Sequence, residues 1–291
     1  MKKIISFMLV LCMVLVFTAC GKVEITMQDV YDAVQTEALL KNHQSVYIRD
    51  ALDGEIWNER YLTKDYVYDY VPDEEFPWAE FMTDDACYCY TSGDYVRFLP
   101  ITPDGVSDGF ASYRADHYAS VLLGADTVEE TIESVSEKDG RITITSVLNQ
   151  KILETLAEDG VIAGKFEYVL DAKTREMIAI SGDYTYEGDT HYLMNTEIIY
   201  DTEASEMVKT FLEYANQTEN LRNITVVTNP GTEKEVSQSV QAPKGLIIGL
   251  RYDEDTAYVF EPYIDAACTE SYDPYADTDS DLTVYVKCTN S

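Results

Sequence analysis

The sequence predicts an α+β chain that is mostly β, and three observations carry that reading. Gly164 to Asp201 holds three runs in which apolar and polar residues alternate. Short Val-, Ile- and Tyr-rich segments recur through the rest of the chain, separated by groups of Asp, Gly, Asn and Ser. Helical spacing shows only near Thr26–Ala38 and Ser205–Ala215. Strand side chains point alternately to opposite faces, so a period of two marks half-buried strands. Phe166, Tyr168 and Leu170 share one face of the first run; Ile178, Ile180, Tyr184 and Tyr186 keep the period in the second; Tyr192, Met194, Thr196, Ile198 and Tyr200 keep it in the third. Asp171-Ala172-Lys173-Thr174 and Glu187-Gly188-Asp189 supply the turns. The stretch reads as an antiparallel meander with one wetted face.

From the N-terminus, Lys2 and Lys3 precede an apolar run, Ile4 to Phe17, too short for a comfortable membrane span. The run ends Phe17-Thr18-Ala19-Cys20-Gly21, which resembles the bacterial lipobox, with Phe17 where that family has Leu. The resemblance implies a lipoprotein signal peptide over residues 1–19 and a lipidated Cys20 as the new N-terminus. It places the chain on the extracytoplasmic face of the cell membrane, held by acyl chains. Residues 20–25 would form the tether, whose roughly five residues reach at most about 18 Å.

Thr26 is a helix cap with Asp29 at the reciprocal position, and Met27, Val30, Tyr31, Val34 and Ala38 form one apolar stripe. Strands follow at Val46 and Ile48, Ile56 to Leu62, Asp65 to Val71, Ala86 to Tyr90 and Tyr95 to Leu99. Pro100 and Pro103 break the sheet, and Ile101 to Tyr113 reads as a surface loop. Thr127–Val135 and Arg141–Leu148 form a hairpin across Lys138-Asp139-Gly140. Val208, Phe211, Leu212 and Ala215 mark one side of the second helix. The polar stretch Asn216 to Asn220 divides a first domain, 26–220, from a second, 221–291. Strands in the second are expected at Ile224–Val227, Val236–Val240, Leu246–Leu250, Ala257–Phe260 and Asp281–Lys287.

One N-terminal helix followed by a long meander, with the hairpin "LDAKTREMIAISGDYTY", resembles the LolA/LppX-like group of bacterial lipoproteins and carriers. That resemblance implies a curved antiparallel sheet, an unclosed barrel wrapping the helix, with an apolar or lipid-like ligand in its concavity. The tail "AYVFEPY", then Asp265 to Thr269, then "DLTVYVK", is similar to the internalin B-repeat (Listeria–Bacteroides repeat) family. It departs at Ala257 and Pro262, where the family has glycines, and at Tyr263 and Cys288, where it has tryptophans. It implies a small β-grasp-like domain acting as a surface spacer or interaction unit.

The formal charge of -32 becomes -34 once Lys2 and Lys3 leave with the signal. Such an acidic surface repels phosphates and excludes nucleic acid as a partner. After Cys12 and Cys20, four cysteines remain, which allow three pairings. The repeat resemblance puts Cys288 at a buried position near the hairpin and favours a Cys268–Cys288 staple, worth about 3 kcal/mol in the chain-entropy model. Cys87 and Cys89 stay open: reduced core thiols, or partners elsewhere.

His43, His117 and His191 lack metal spacing, and no GxSxG, SxxK, HExxH or P-loop occurs. Asp273, Asp277, Asp279 and Asp281 suggest calcium, yet counting from Asp277 an EF-hand's glycine and glutamate places hold Leu282 and Cys288. Tyr66, Tyr68 and Tyr70 offer a sugar-stacking platform or, as is routine in sheets, a packed face against the N-terminal helix or the loop. The expectation is a non-catalytic, membrane-anchored lipoprotein with no cofactor or metal that binds an apolar small molecule or lipid. The alternative is a cell-surface interaction lipoprotein that meets another surface protein through its C-terminal domain.

Overall fold

A computed structural model describes residues 25–73, 75–107, 109–110, 114, 130–157, 160–188, 190–252 and 258–290. Two short helices open the chain, α1 (Met27–Ala33) and α2 (Thr36–Leu39). Seven strands follow: β1 (Val46–Leu52), β2 (Glu55–Leu62), β3 (Val67–Val71), β4 (Trp78–Met82), β5 (Cys87–Thr91), β6 (Asp94–Thr102) and β7 (Gly105–Val106). Then come β8 (Glu130–Lys138), β9 (Arg141–Leu148), α3 (Gln150–Leu156), β10 (Val161–Asp171), β11 (Met177–Tyr186), β12 (Thr190–Tyr200) and α4 (Glu206–Ala215). The chain ends with β13 (Leu221–Thr228), β14 (Val236–Pro243), β15 (Ile247–Tyr252), β16 (Tyr258–Tyr263) and β17 (Leu282–Asn290).

The α+β, mostly β architecture is as expected. The large sheet runs β15-β6-β5-β4-β3-β2-β1-β12-β11-β10-β9-β8, with β7 beside β6. It is curved, and β8 and β15 end the path without meeting, so the barrel stays unclosed. The seam is β1 on β12, from Val46↔Tyr200 to Leu52↔Met194, which joins the early strands to the later meander. A second sheet runs β14-β13-β17-β16, with β13 and β17 parallel. β15, between β14 and β16 in the chain, leaves this sheet and lies parallel to β6 in the large one.

Alternation gives the large sheet two different faces. The first carries Val46, Ile48, Leu62, Val67, Ile142, Ile144 and Ile198, and α1 and α2 pack on it with Met27, Val30, Tyr31, Val34, Leu39 and Leu40. The second carries Tyr61, Tyr68, Ala79, Phe81 and Tyr88 under Val208 and Phe211 of α4. The small sheet packs Ile224, Val226, Val284 and Val286 against Leu99, Ile101 and Ile248.

Several expectations need correction. The first helix stops at Val34 (φ -96, ψ -1), and Leu39 and Leu40 of the next turn fill the core in place of Ala38. β6 continues through Pro100 to Thr102, because Pro100 lies beyond the last β5 partner, Phe98, and alongside β15. Ile101 is therefore a core residue, and so is Phe110, whose amide donates to Asp84 O and whose ring packs with Met82 and Cys87; neither is surface loop. β4 and α3 were not expected. On β11 a bulge pairs Leu170 with Met177, so Met177 takes the buried place expected of Ile178. Residues 127–129 of the expected hairpin lie outside the described residues.

The hairpin ends define two rims. The first holds the turns at 53–54, 72–73 with 75–77, 92–93 and 187–188; the second holds those at 63–66, 83–86, 139–140 and 172–176.

Candidate functional site

The first face divides into an apolar half and a polar half. On β9 to β12, Ile142, Ile144, Phe166, Tyr168, Leu170, Ile180 and Ile198 are all at most 5 % exposed. Phe166 lies flat because its cross-strand partner is Gly182, where a Cβ would come within 2.7 Å of the ring. What covers this surface is short. α1 and α2 have seven and four residues, and α3 has seven with none fully buried, contributing the half-buried Ile152, Leu153 and Leu156. Helices this short do not persist in water, so their order comes from the sheet beneath them.

Two polar clusters pin that cover. Buried Glu130, at the first-rim end of β8, accepts from Tyr31 Oη of α1 (3.1 Å) and Tyr168 Oη of β10 (2.7 Å), and from the Ser146 hydroxyl. Burial first, and Glu130 second, push the Tyr168 phenol well above its ordinary value. At the second rim, just past α2, His43 Nδ1 meets Asp201 Oδ2 at 2.7 Å and Nε2 meets Glu176 Oε1 at 3.2 Å, with the ring 4.2 Å from that of Tyr200. Burial pulls the imidazole's pKa down, but the two carboxylates outweigh it and raise it.

Toward β5 the same face becomes charged. Asp50, Arg60, Asp69 and Glu80, on β1 to β4, are each at most 9 % exposed. Thr196 Oγ1 donates to Asp50 Oδ1 at 2.6 Å, and Arg60 lies 3.3 Å from Asp50 and 3.6 Å from Asp69. Arg251 of β15 reaches Glu80 at 2.5 Å, and the Cys87 thiol donates to Glu80 at 3.2 Å. Buried charges persist only when paired and hydrogen-bonded, so this seam locks β15 to the centre of the sheet. Sequence reading missed it, although the signal was present: each of these charges keeps the phase of its strand's buried apolar residues, Val46, Leu62, Val67 and Met82.

The residues singled out from sequence resolve differently. Cys20 lies outside the described residues. Cys268 and Cys288 are free thiols. Phe260 stands opposite Cys288, while Cys268 sits in the turn past the far end of β16, so the register keeps the expected staple partners apart. Cys87 and Cys89 are buried free thiols. Burial first, then Glu80, raises both, Cys89 to about 12. Neither thiol is thus available as a nucleophile.

In the acidic loop three of the four carboxylates accept from backbone amides. Asp273 caps Tyr275 N, Asp277 caps Asp279 N and Ser280 N, and Asp281 caps Asn223 N. Those Ser280 and Asp279 amides lower Asp277 to about 2. Buried Arg222 donates to the Asp277, Ser280 and Leu246 carbonyls, so a guanidinium organises this loop. No metal-binding group of three His, Cys, Asp or Glu occurs among the described residues.

Tyr66 and Tyr68 pack under α4 instead of the N-terminal helix: Tyr68 lies 6.2 Å from Phe211 and donates to Met207 Sδ, and Tyr66 lies 5.0 Å from Phe81. His191 pairs with Asp183 on the surface, and His117 lies outside the described residues. No helix among the described residues is long and apolar enough to cross a membrane.

No family model matches the chain, and no curated protein matches it. Solved structures similar to it include the lipoprotein LppX of Mycobacterium tuberculosis, at 11% identity and TM-score 0.35, covering 62% of this chain and 94% of that one. A LolA superfamily protein from Nitrosomonas europaea matches at 8% identity and TM-score 0.24, over 64% and 97%. MucB of Pseudomonas aeruginosa, in complex with MucA, matches at 11% identity and TM-score 0.26, over 75% and 76%.

Proposed function

We propose that this protein is a non-catalytic lipoprotein, held by acyl chains on Cys20 at the extracytoplasmic face of the membrane, that takes an apolar or lipid-like ligand between the apolar half of the large sheet and its helical cover. One observation carries the reading: a continuous apolar face on β9 to β12 lies under helices of seven, four and seven residues. Such a cover can be displaced by an acyl chain that buries the same surface, because apolar burial is non-directional and scales with area. The two pinning clusters set what displacement costs.

Protein purified from its own membrane without denaturant should carry an apolar compound visible in native mass spectrometry. A fluorescent polyene fatty acid should bind and then be displaced by unlabelled fatty acid. Native protein that carries nothing and binds no such probe sinks the reading. Anchoring has its own assay: Cys20→Ser should move the protein from the membrane to the medium.

A second reading, an interaction unit, has its own support in β16, whose Tyr258 and Val259 are exposed on the edge strand of the small sheet. An open edge can pair with an added strand. Val259→Glu should abolish capture of a surface partner and leave anchoring intact; capture that survives it refutes this reading.

A further inference from the structure

The first rim carries an exposed apolar strip that the ligand site does not use. Leu52, Ile56 and Trp57 are each 41 % exposed, Tyr192 40 %, Leu193 48 % and Phe76 68 %. They come from three neighbouring hairpin ends. Asp53 N donates to Leu193 O at 2.8 Å and Leu193 N to Asp53 Oδ1 at 2.9 Å, which ties the β1–β2 turn to the start of β12. Ile56 and Phe76 border one open groove of about 840 Å³. Trp57 owes its position to a bulge: Asp50 opposes Asn58 and Ala51 opposes Ile56, which leaves Trp57 unpaired.

The rim's charges are arranged to match. Two of its carboxylates are turned inward, Asp53 onto Leu193 N, and Asp73 onto Glu75 N and Phe76 N. Glu55, Glu75, Asp94 and Glu187 remain exposed, and no basic residue occupies these turns. A tryptophan beside aliphatic and phenyl side chains, with polar groups between them, is the composition that settles at a membrane–water interface. The remaining carboxylates select a neutral headgroup layer over an anionic one.

The beginning of the chain argues for a bilayer as the occupant. Tyr31 of α1 contacts Glu130, which lies opposite Leu148 at the first-rim end of β8 and β9. The chain reaches the second rim only at Asn42 and His43, through Glu176 and Asp201. The described chain therefore enters the fold from the first-rim half, and the expected tether, fully extended, spans at most about 18 Å.

We infer that the first rim rests on the bilayer, with Trp57, Ile56, Phe76 and Leu193 in the headgroup layer of a zwitterionic membrane. This deepens the anchored reading proposed above and rests on it for the native tether. The rim sets one end of the large sheet's strands against the surface to which the chain is tied.

The test supplies the tether artificially. The chain from residue 21 onward carries an N-terminal hexahistidine and is held on phosphatidylcholine vesicles by a chelating lipid. Trp57 and Trp78 are the chain's two tryptophans, so Trp78→Phe leaves Trp57 as sole reporter. Its emission should shift to the blue, and lipids brominated along the acyl chain should quench it about twofold, as for an interfacial tryptophan. Ile56→Ser with Phe76→Ser, both at exposed positions, should remove the quenching. Anionic lipid should weaken it at low salt, and added salt should restore it. Unchanged emission on tethered vesicles overturns the inference even if native Cys20 is acylated. Quenching here, with Cys20→Ser leaving membrane attachment in cells unaltered, upholds rim docking and sinks the acyl anchor. A blue shift that grows with protein concentration in the absence of vesicles assigns the strip to a second copy and overturns the inference.

Discussion

His43 shows how one side chain couples the helical cover to the sheet. It bridges Glu176, in the β10–β11 turn, and Asp201, just past β12. The imidazole is raised from its ordinary 6.5, so its contribution is complete below 6.5 and lost as pH climbs through the raised value. The carboxylates are lowered from 4.5 and 3.8, Glu176 by Asn42, Thr174 and His43 against burial, and Asp201 chiefly by His43. Their contribution is complete above those values and lost as pH falls through the lowered ones. The cluster is strongest between the ordinary values of 4.5 and 6.5. The thermal midpoint of the protein should exceed that of His43→Gln most in that window, and the gap should close on raising the pH to about 8. A gap that stays constant with pH removes the cluster from the account. Arg222 makes a sharper case. Its buried guanidinium satisfies three carbonyls, that of Leu246 itself buried, and Arg222→Met fills similar volume but leaves them without this donor. Chemical denaturation should report a loss on the order of 3 kcal/mol, with the 273–281 loop becoming protease-sensitive. A variant as stable as the parent refutes the role given to this arginine.

At the scale of elements, α1 is held by its packed stripe and by one hydroxyl. Tyr31→Phe keeps the ring in the core and removes the donor to Glu130, which retains Tyr168 and Ser146. The expected cost is about 1.5 kcal/mol, read as faster amide exchange confined to α1 and α2. Exchange that rises uniformly over the molecule means that α1 is no separate cover. This helix was legible because Thr26 and Asp29 spell a capping box and the stripe follows it. The β10–β12 meander and α4 were legible for the same reason: period and caps agree. β4 was not, because Trp-Ala-Glu-Phe-Met puts a buried Glu80 in phase with its apolar neighbours, and its charge partner, Arg251, is 171 residues away. α3 was not, because its apolar residues end only half-buried beside β10. Pairing partners were beyond sequence altogether. Nothing in Ile247–Tyr252 announces that this strand joins β6, and the register that separates Cys268 from Cys288 appears only once β16 lies on β17.

At the scale of the whole molecule, the division read at Asn216–Asn220 meets a structural obstacle. β15 comes after that point, yet it is the end strand of the large sheet, and its Arg251 neutralises a Glu80 that is 3 % exposed. Leu99 and Ile101 of β6 are covered by Ile224, Val226, Val284 and Val286 of the small sheet. Arg97 of β6 donates to the Gln241 carbonyl. Ending the chain at residue 220 therefore uncovers an apolar strip, frees the edge of β6 and strands a buried carboxylate, each of which is costly alone. The truncated chain should aggregate, or melt without cooperativity, where the whole chain melts as one unit. A soluble truncated monomer that melts cooperatively within about 5 °C of the whole chain makes residues 26–220 an autonomous domain and reduces β15 to an accessory. If the truncation fails as expected, a partner seized by β16 pulls on a sheet packed against the one that holds the apolar face, because β17 and β13 bury Val284, Val286, Ile224 and Val226 against β6 and β15. Binding at the small sheet's edge is then linked to the order of the large sheet, and ligand affinity measured with Val259→Glu reads that linkage directly.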